Sequence, residues 1–207
     1  MTVKFEMIGG RTCLDFVNTA SQRRLGPFRE KLNGYEDLLD WAIEAEQLTE
    51  QEAAHLRAKA AAQPHAAQAV VERGRLLREA IYRVFTARAA GAVLPTADLE
   101  LISEENARAA VNRVLTPVGV GSCSFEWRTY DALDRPLWPV AVSAVNLAAS
   151  ADAARVKECG SDNCNWLFMD TSKNRSRRWC DMKDCGNRAK ARRHYHRTRD
   201  ADEHVKT

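Results

Sequence analysis

Four cysteines in the last third of the 207-residue chain, Cys159, Cys164, Cys180 and Cys185, are spaced C-x4-C, fifteen residues, C-x4-C. Two short pairs joined by a longer connection let two tight loops each supply two sulfurs to one ion, and four thiolates form the tetrahedral shell that zinc accepts. The segment that carries them is too small to bury a core of its own, so one structural zinc has to hold it together. Two disulfides would use the same residues but need an oxidising compartment. Residues 1–17 contain Lys4, Glu6, Arg11 and Asp15 and lack the uninterrupted apolar stretch of a secretory signal. The longest apolar run, Val140 to Ala149, is broken by Ser143 and Asn146 and is too short to span a bilayer. The expectation is a cytoplasmic chain with no membrane segment. Cys13 and Cys123 stand apart from the cluster and read as small hydrophobes in the core.

Charge divides the chain. Residues 1–154 hold 17 basic and 20 acidic side chains, a net of −3, whereas residues 155–199 hold 13 basic and 5 acidic, a net of +8. The tail, 200–207, returns −2, giving the overall +3. An acidic body with a basic end suggests a polyanion-binding module on a carrier. Four thiolates around a divalent ion subtract about two charges from that end, which remains basic.

The carrier reads as mainly helical. Leu38, Leu39, Trp41, Ala42 and Ala45 recur at helical spacing after the Asn33-Gly34 turn, predicting a helix over Tyr35 to Leu48. Thr49 with Glu52 is a capping box for a second helix ending near Ala62, before Pro64. A long helix follows from Ala66 to about Ala90, with Gly74 costing it ~1 kcal/mol without ending it. Thr96 is expected to cap another helix through about Arg108. The period then changes to two over Val111 to Thr116 and Ser124 to Arg128, around Gly119 and Gly121, which predicts a β-hairpin. A last helix is expected from about Pro136 to Ala153, its prolines in the first turn. The opening around Leu14, Phe16 and Val17 fits a helix or a strand leading to one.

In the basic end, Trp166 to Met169 forms a short apolar strand, Asp170 to Asn174 a turn, and the chain from Cys185 to about Arg199 reads as a helix. A cysteine at a helix N-terminus suits a thiolate, because unpaired amides stabilise its charge. Knuckle, hairpin and then a helix carrying the last ligand is the order of a treble clef. The fold class is therefore α+β and mainly helical: an α-rich N-terminal domain with a small antiparallel hairpin over 1–154, a treble-clef zinc finger over 155–199, and a polar tail over 200–207.

Cys185-Gly186-Asn187-Arg188, with Trp166-Leu167-Phe168-Met169-Asp170 and Arg177-Arg178-Trp179-Cys180-Asp181-Met182 upstream, resembles the CGNR zinc finger of bacteria. Leu14-Asp15-Phe16-Val17-Asn18-Thr19 and Tyr35-Glu36-Asp37-Leu38-Leu39-Asp40-Trp41 are similar to the ABATE domain, which precedes this finger in a family of stress-induced transcription regulators. The resemblance implies a finger that binds DNA and an N-terminal domain that binds an unidentified small ligand. Asn165 departs from it, standing before Trp166 where a glycine is expected.

DNA contact would rest on Arg175, Arg177, Arg178, Lys183, Arg188, Lys190, Arg192, Arg193 and Arg197. An arginine fork can hold a phosphate, or guanine O6 and N7, with two bonds. At 3.6 residues per turn Arg188 and Arg192 share a helix face while Arg193 and Arg197 point elsewhere, so no single base-reading face is defined, and a solvated basic surface is the plain alternative. DNA is favoured over RNA by the resemblance. His194 and His196 are not needed as ligands, since four sulfurs close the shell. Asp15, Asn18 and Thr19 are candidate ligand contacts in the first domain, though each could instead cap a helix. A closed thiolate shell leaves no position for a catalytic water, and no metalloprotease, P-loop or nucleophile-elbow pattern occurs, so the expectation is a non-enzyme. The competing class is an adaptor whose finger binds RNA or a protein. One finger offers few base contacts, which fits a homodimer or an added DNA contact.

Overall fold

The structure, a computed structural model, describes residues 5–24, 28–192 and 195. At its centre lies α1 (Thr12–Val17), whose Cys13, Leu14, Phe16 and Val17 are all buried. A two-residue ribbon follows, β1 (Ala20–Ser21) against β2 (Arg29–Glu30), too short to leave a periodic signal in the sequence. Helix α2 (Tyr35–Glu44) packs Trp41 edge-on against Phe16, ring centroids 4.7 Å apart. It ends earlier than the apolar spacing predicts, because Glu46 turns the backbone left-handed at φ +57°. Helix α3 (Glu50–Ala62) opens with the expected box, the Glu52 amide donating to Thr49 Oγ1 at 3.2 Å and the Glu52 carboxylate accepting from the Thr49 amide at 2.7 Å.

Pro64 both closes α3 and opens α4 (Pro64–Ala89), where its missing N–H costs nothing. Helix α4 is the spine. A Cβ at Gly74 would stand 3.0 Å from Leu137 Cδ2 and 3.5 Å from the Phe16 ring, so glycine at this point admits both side chains against the helix. Helix α5 (Thr96–Ala110) takes Pro95 as its N-cap residue, which makes Thr96 the first helical residue, not the cap. The expected long last helix is three pieces. A 3-10 turn, Arg135–Leu137, leads into α6 (Trp138–Ala148), which carries Pro139 in its first turn; Ser150 then extends at ψ 160° before a second 3-10 turn, Ala151–Arg155.

Between α5 and the first of those turns, β3 (Arg113–Gly119) and β4 (Ser122–Trp127) form the expected hairpin, with Arg113 opposite Trp127 and a bulge at Pro117/Gly119. It packs little: Leu115, Val118, Val120 and Phe125 are exposed. Cys123 is exposed there too, a correction to the reading of it as a core residue, while Cys13 is buried as expected.

The last hairpin pairs β5 (Val156–Glu158) with β6 (Leu167–Met169), Lys157 facing Phe168. Successive side chains of β6 point to opposite faces. Leu167 and Met169 join Val156 in the same buried cluster as α1, α4 and α6, whereas Trp166 and Phe168 pack on the cysteines together with Ile8 and Trp179. The second edge of β6 is also occupied. Met169 N donates to Gly9 O at 2.9 Å, and the Asn18 amide pairs with Leu167 in both directions, each bond 2.9 Å. The chain therefore passes from its helical body into the cysteine-bearing segment through shared core and shared hydrogen bonds. Asn18→Ala removes both bonds and leaves two buried backbone groups unpaired; it is expected to cost about 2 to 3 kcal/mol, read as a lower thermal midpoint with the zinc content unchanged.

Candidate metal centre and nucleic-acid interface

Cys159 and Cys164 sit in the loop that joins β5 to β6, and the backbone there is drawn tight. Cys159 N donates to Trp166 O at 2.8 Å and Gly160 N to Arg178 O at 2.9 Å. Asn165 takes the left-handed conformation, φ +64°, which asparagine tolerates better than most residues. Its side chain adds what glycine could not: Nδ2 donates to Glu158 Oε1 at 3.0 Å and Oδ1 accepts from Arg24 N at 3.4 Å. Asn165 thus holds the turn with Cys159 and Cys164 both in the cluster.

Cys180 precedes a single wide π-type turn, Met182–Gly186, which carries Cys185 and runs into helical backbone over 187–192. Asp181 caps that turn, accepting from the amides of Lys183 and Asp184. The ligand atoms of the four cysteines all lie within 4.8 Å of one another, and all four residues are buried. Cys164 and Cys180 sulfurs are 3.5 Å apart and those of Cys180 and Cys185 are 3.6 Å apart. A tetrahedral shell with zinc–sulfur bonds of ~2.3 Å puts its sulfurs about 3.8 Å apart, while a disulfide needs ~2.05 Å. The spacing fits an ion and excludes a bond between these sulfurs. The donors' chemistry agrees: neighbouring Cys159 and Cys164 sulfurs push the Cys180 thiol up, so the set ionises together only around a cation. Outer partners are present as well, Cys180 N donating to Cys159 Sγ at 3.4 Å and Arg188 Nη2 to Cys185 Sγ at 3.0 Å. The cluster is a single zinc site.

The basic side chains divide by what they touch. Arg177 turns inward: Nε donates to Trp179 O at 2.9 Å, Nη2 donates to Cys180 O, and the guanidinium lies 4.5 Å from the Phe168 ring centroid. It braces the second cysteine arm. Arg188, drawn to Cys185, also pairs with Asp184 at 3.2 Å, and Arg192 pairs with Asp162. Arg175, Arg178, Lys183 and Lys190 are exposed, and among the described residues none of them makes an ion pair. Arg178 lies 5.5 Å from the Trp179 ring centroid, and Arg175 holds a left-handed φ of +48°. Arg193, Arg197, His194 and His196, like the tail 200–207, lie outside the described residues.

Lys157 was hidden by its position in a strand. Its ammonium donates to Asp170 at 2.6 Å and to the Arg177 carbonyl at 3.3 Å, fixing the loop between β6 and Cys180. Asp170 is completely buried and accepts further bonds from the Ser172 amide and hydroxyl and the Arg177 amide. Burial pushes its pKa up, but the Lys157 ammonium and these donors outweigh it and hold the carboxyl well below the usual range.

The three candidate ligand contacts of the first domain are differently occupied. Asn18 is committed to Leu167, and the Thr19 hydroxyl donates to Phe16 O at 2.7 Å and accepts from Arg78 Nη1 at 3.2 Å. Asp15 accepts from Gly9 N at 2.7 Å, and burial lifts its pKa to about 6. None of the three caps the N-terminus of α1, where Arg11 stands, but Asn18 is the C-cap residue of that helix.

No described helix is long and apolar enough to cross a membrane. Residues 155–198 match the CGNR zinc finger, and residues 10–151 match the ABATE family, described as "Putative stress-induced transcription regulator". A search of curated proteins finds no match to this chain.

Proposed function

Because this chain belongs to the ABATE family and ends in a CGNR zinc finger, we propose that it is a non-enzymatic, cytoplasmic DNA-binding regulator whose zinc-held finger contacts the duplex. The observation that carries this reading is the division of the finger's cations. Arg177, Arg188 and Lys157 are spent on holding the finger together, while Arg175, Arg178, Lys183 and Lys190 remain exposed without carboxylate partners among the described residues. Exposed cations beside a rigid zinc shell are placed to neutralise phosphates.

In this reading residues 1–154 form the regulatory domain, residues 155–199 the finger and 200–207 a tail. A small ligand in the first domain alters the finger through the core they share, and two copies act together because one finger supplies few base contacts. The occupant's effect passes through direct contacts, among them β6 with Asn18 and Glu158 with Tyr82, rather than along a linker.

Arg177 is an unsuitable probe of DNA contact, since its loss would release the backbone at Trp179 and Cys180. The test uses Arg178→Ala/Lys190→Ala. The variant is expected to keep its zinc and its thermal midpoint and to bind duplex DNA about tenfold more weakly at 0.1 M salt. Undiminished duplex binding would count against the assignment. Binding to RNA with none to duplex would favour the adaptor reading.

A further inference from the structure

We propose that the cleft between α1, α6 and the base of the β3–β4 hairpin is a binding site for a small organic anion with a flat apolar body, its acid group taken by Arg113. The cleft has a volume of about 550 Å³, within the usual range for small-molecule sites. Trp127, Phe125, Val142 and Leu147 are its apolar lining, with Phe125 at the exposed edge.

Arg113 supplies the charge. Its guanidinium lies 3.6 Å from the Phe125 ring centroid, held flat by stacking. Arg23, Arg73, Arg78 and Arg83 each hold a carboxylate, but among the described residues Arg113 holds none. A half-buried fork set over an aromatic ring, its donors unspent among the described residues, is arranged to take an acid group with two bonds. Arg11 and Asp152, also on the lining, pair with each other at 2.9 Å, so they add no net charge.

A second cation adjoins the lining. Arg135 is 3% exposed, and its Nε and Nη1 have no acceptor among the described residues. Its Nη2 donates to Gln47 O at 3.3 Å, and the guanidinium lies 5.0 Å from the Trp127 ring centroid. Gln47 and Trp127 both line the cleft. Trp127 thus pairs with Arg113 across the hairpin and has the Arg135 guanidinium against its ring, and guanidinium stays charged when buried. With low-dielectric walls and its one acid already paired, the cleft favours an anion over a neutral molecule of the same shape.

Two dyes test this on the zinc-loaded protein: anilinonaphthalene sulfonate, an aromatic anion, and phenylnaphthylamine, the neutral molecule with the same body. The sulfonate is expected to bind once per chain. Arg113→Gln should weaken it at least tenfold while changing the neutral dye less than twofold, with Arg113→Lys in between. Val142→Trp, which fills the cleft, should abolish both. Full sulfonate affinity in Arg113→Gln, equal loss of the two dyes, or sulfonate binding that survives Val142→Trp would overturn the site. Use of the site as a regulatory input rests on the reading given above. Sulfonate binding that leaves duplex affinity unchanged would remove that use and leave the site standing.

Discussion

Cys164→Ser is expected to abolish zinc binding and to destabilise the whole chain, including the helical body. A structural zinc supplies about 10 kcal/mol or more to a finger of this kind, and a serine hydroxyl does not replace a thiolate. Without the ion the loops on either side of β6 lose their common centre. Strand β6 then has to be held by its pairing with β5 and its bonds to Gly9 and Asn18, without the ion. Its Leu167 and Met169 lie in the main core, and withdrawing them exposes about 1.5 to 3 kcal/mol of burial each. The two together are worth about 3 to 6 kcal/mol, so the thermal midpoint of the body is expected to fall by about 6 to 24 °C, on a scale of 2 to 4 °C per kcal/mol for a chain of this size. Metal analysis should give no zinc. Zinc lost with an unchanged midpoint would show that the body does not depend on the finger.

Asp170→Asn is expected to be the next most damaging change. The carboxylate is fully buried and pairs with Lys157 at 2.6 Å, and removing one partner of a buried pair costs about 3 to 5 kcal/mol. Lys157 keeps a third of its side chain in water, so the lower end applies. The pH dependence has a definite sign. The folded-state pKa lies below the unfolded value of ~3.9, so the unfolded chain takes up the proton first. The stability that Asp170 contributes is complete above about pH 5 and is lost as pH falls below about 4. Acid also protonates the thiolates. The informative quantity is therefore the difference between the native protein and Asp170→Asn, which should be constant from pH 6 to 8 and shrink below pH 4. A difference that grows toward acid would contradict the assigned partner.

The metal site was legible because its signal is chemical: paired cysteines at short spacing state both the ligands and the loops. The capping box at Thr49 and the hairpin around Gly119 and Gly121 were legible because they are local. Non-local features left no such mark. Trp166 to Met169 reads as a short apolar strand of the finger, yet its alternate residues fill two cores at once. A run apolar at every position is the trace of a strand buried on both faces, and it could have been read so. Asn18 looks like a polar residue at a helix end, and its partner is 149 residues away. The nine basic residues were indistinguishable in composition. Only the fold separates Arg177, folded back onto the Trp179 and Cys180 carbonyls, from its neighbour Arg178, which faces solvent. The missed Lys157 belongs to the same class, a cation consumed by a buried carboxylate.

The most direct measurement of the account is fluorescence anisotropy of the zinc-loaded protein on random-sequence duplex DNA across a salt series, beside Arg178→Ala/Lys183→Ala/Lys190→Ala. If ~4 to 6 phosphates are neutralised, log K should fall against log salt with a slope of roughly −4 to −5, and the variant should flatten it by about 3. No duplex binding at low salt, or a slope unmoved by the variant, would contradict it.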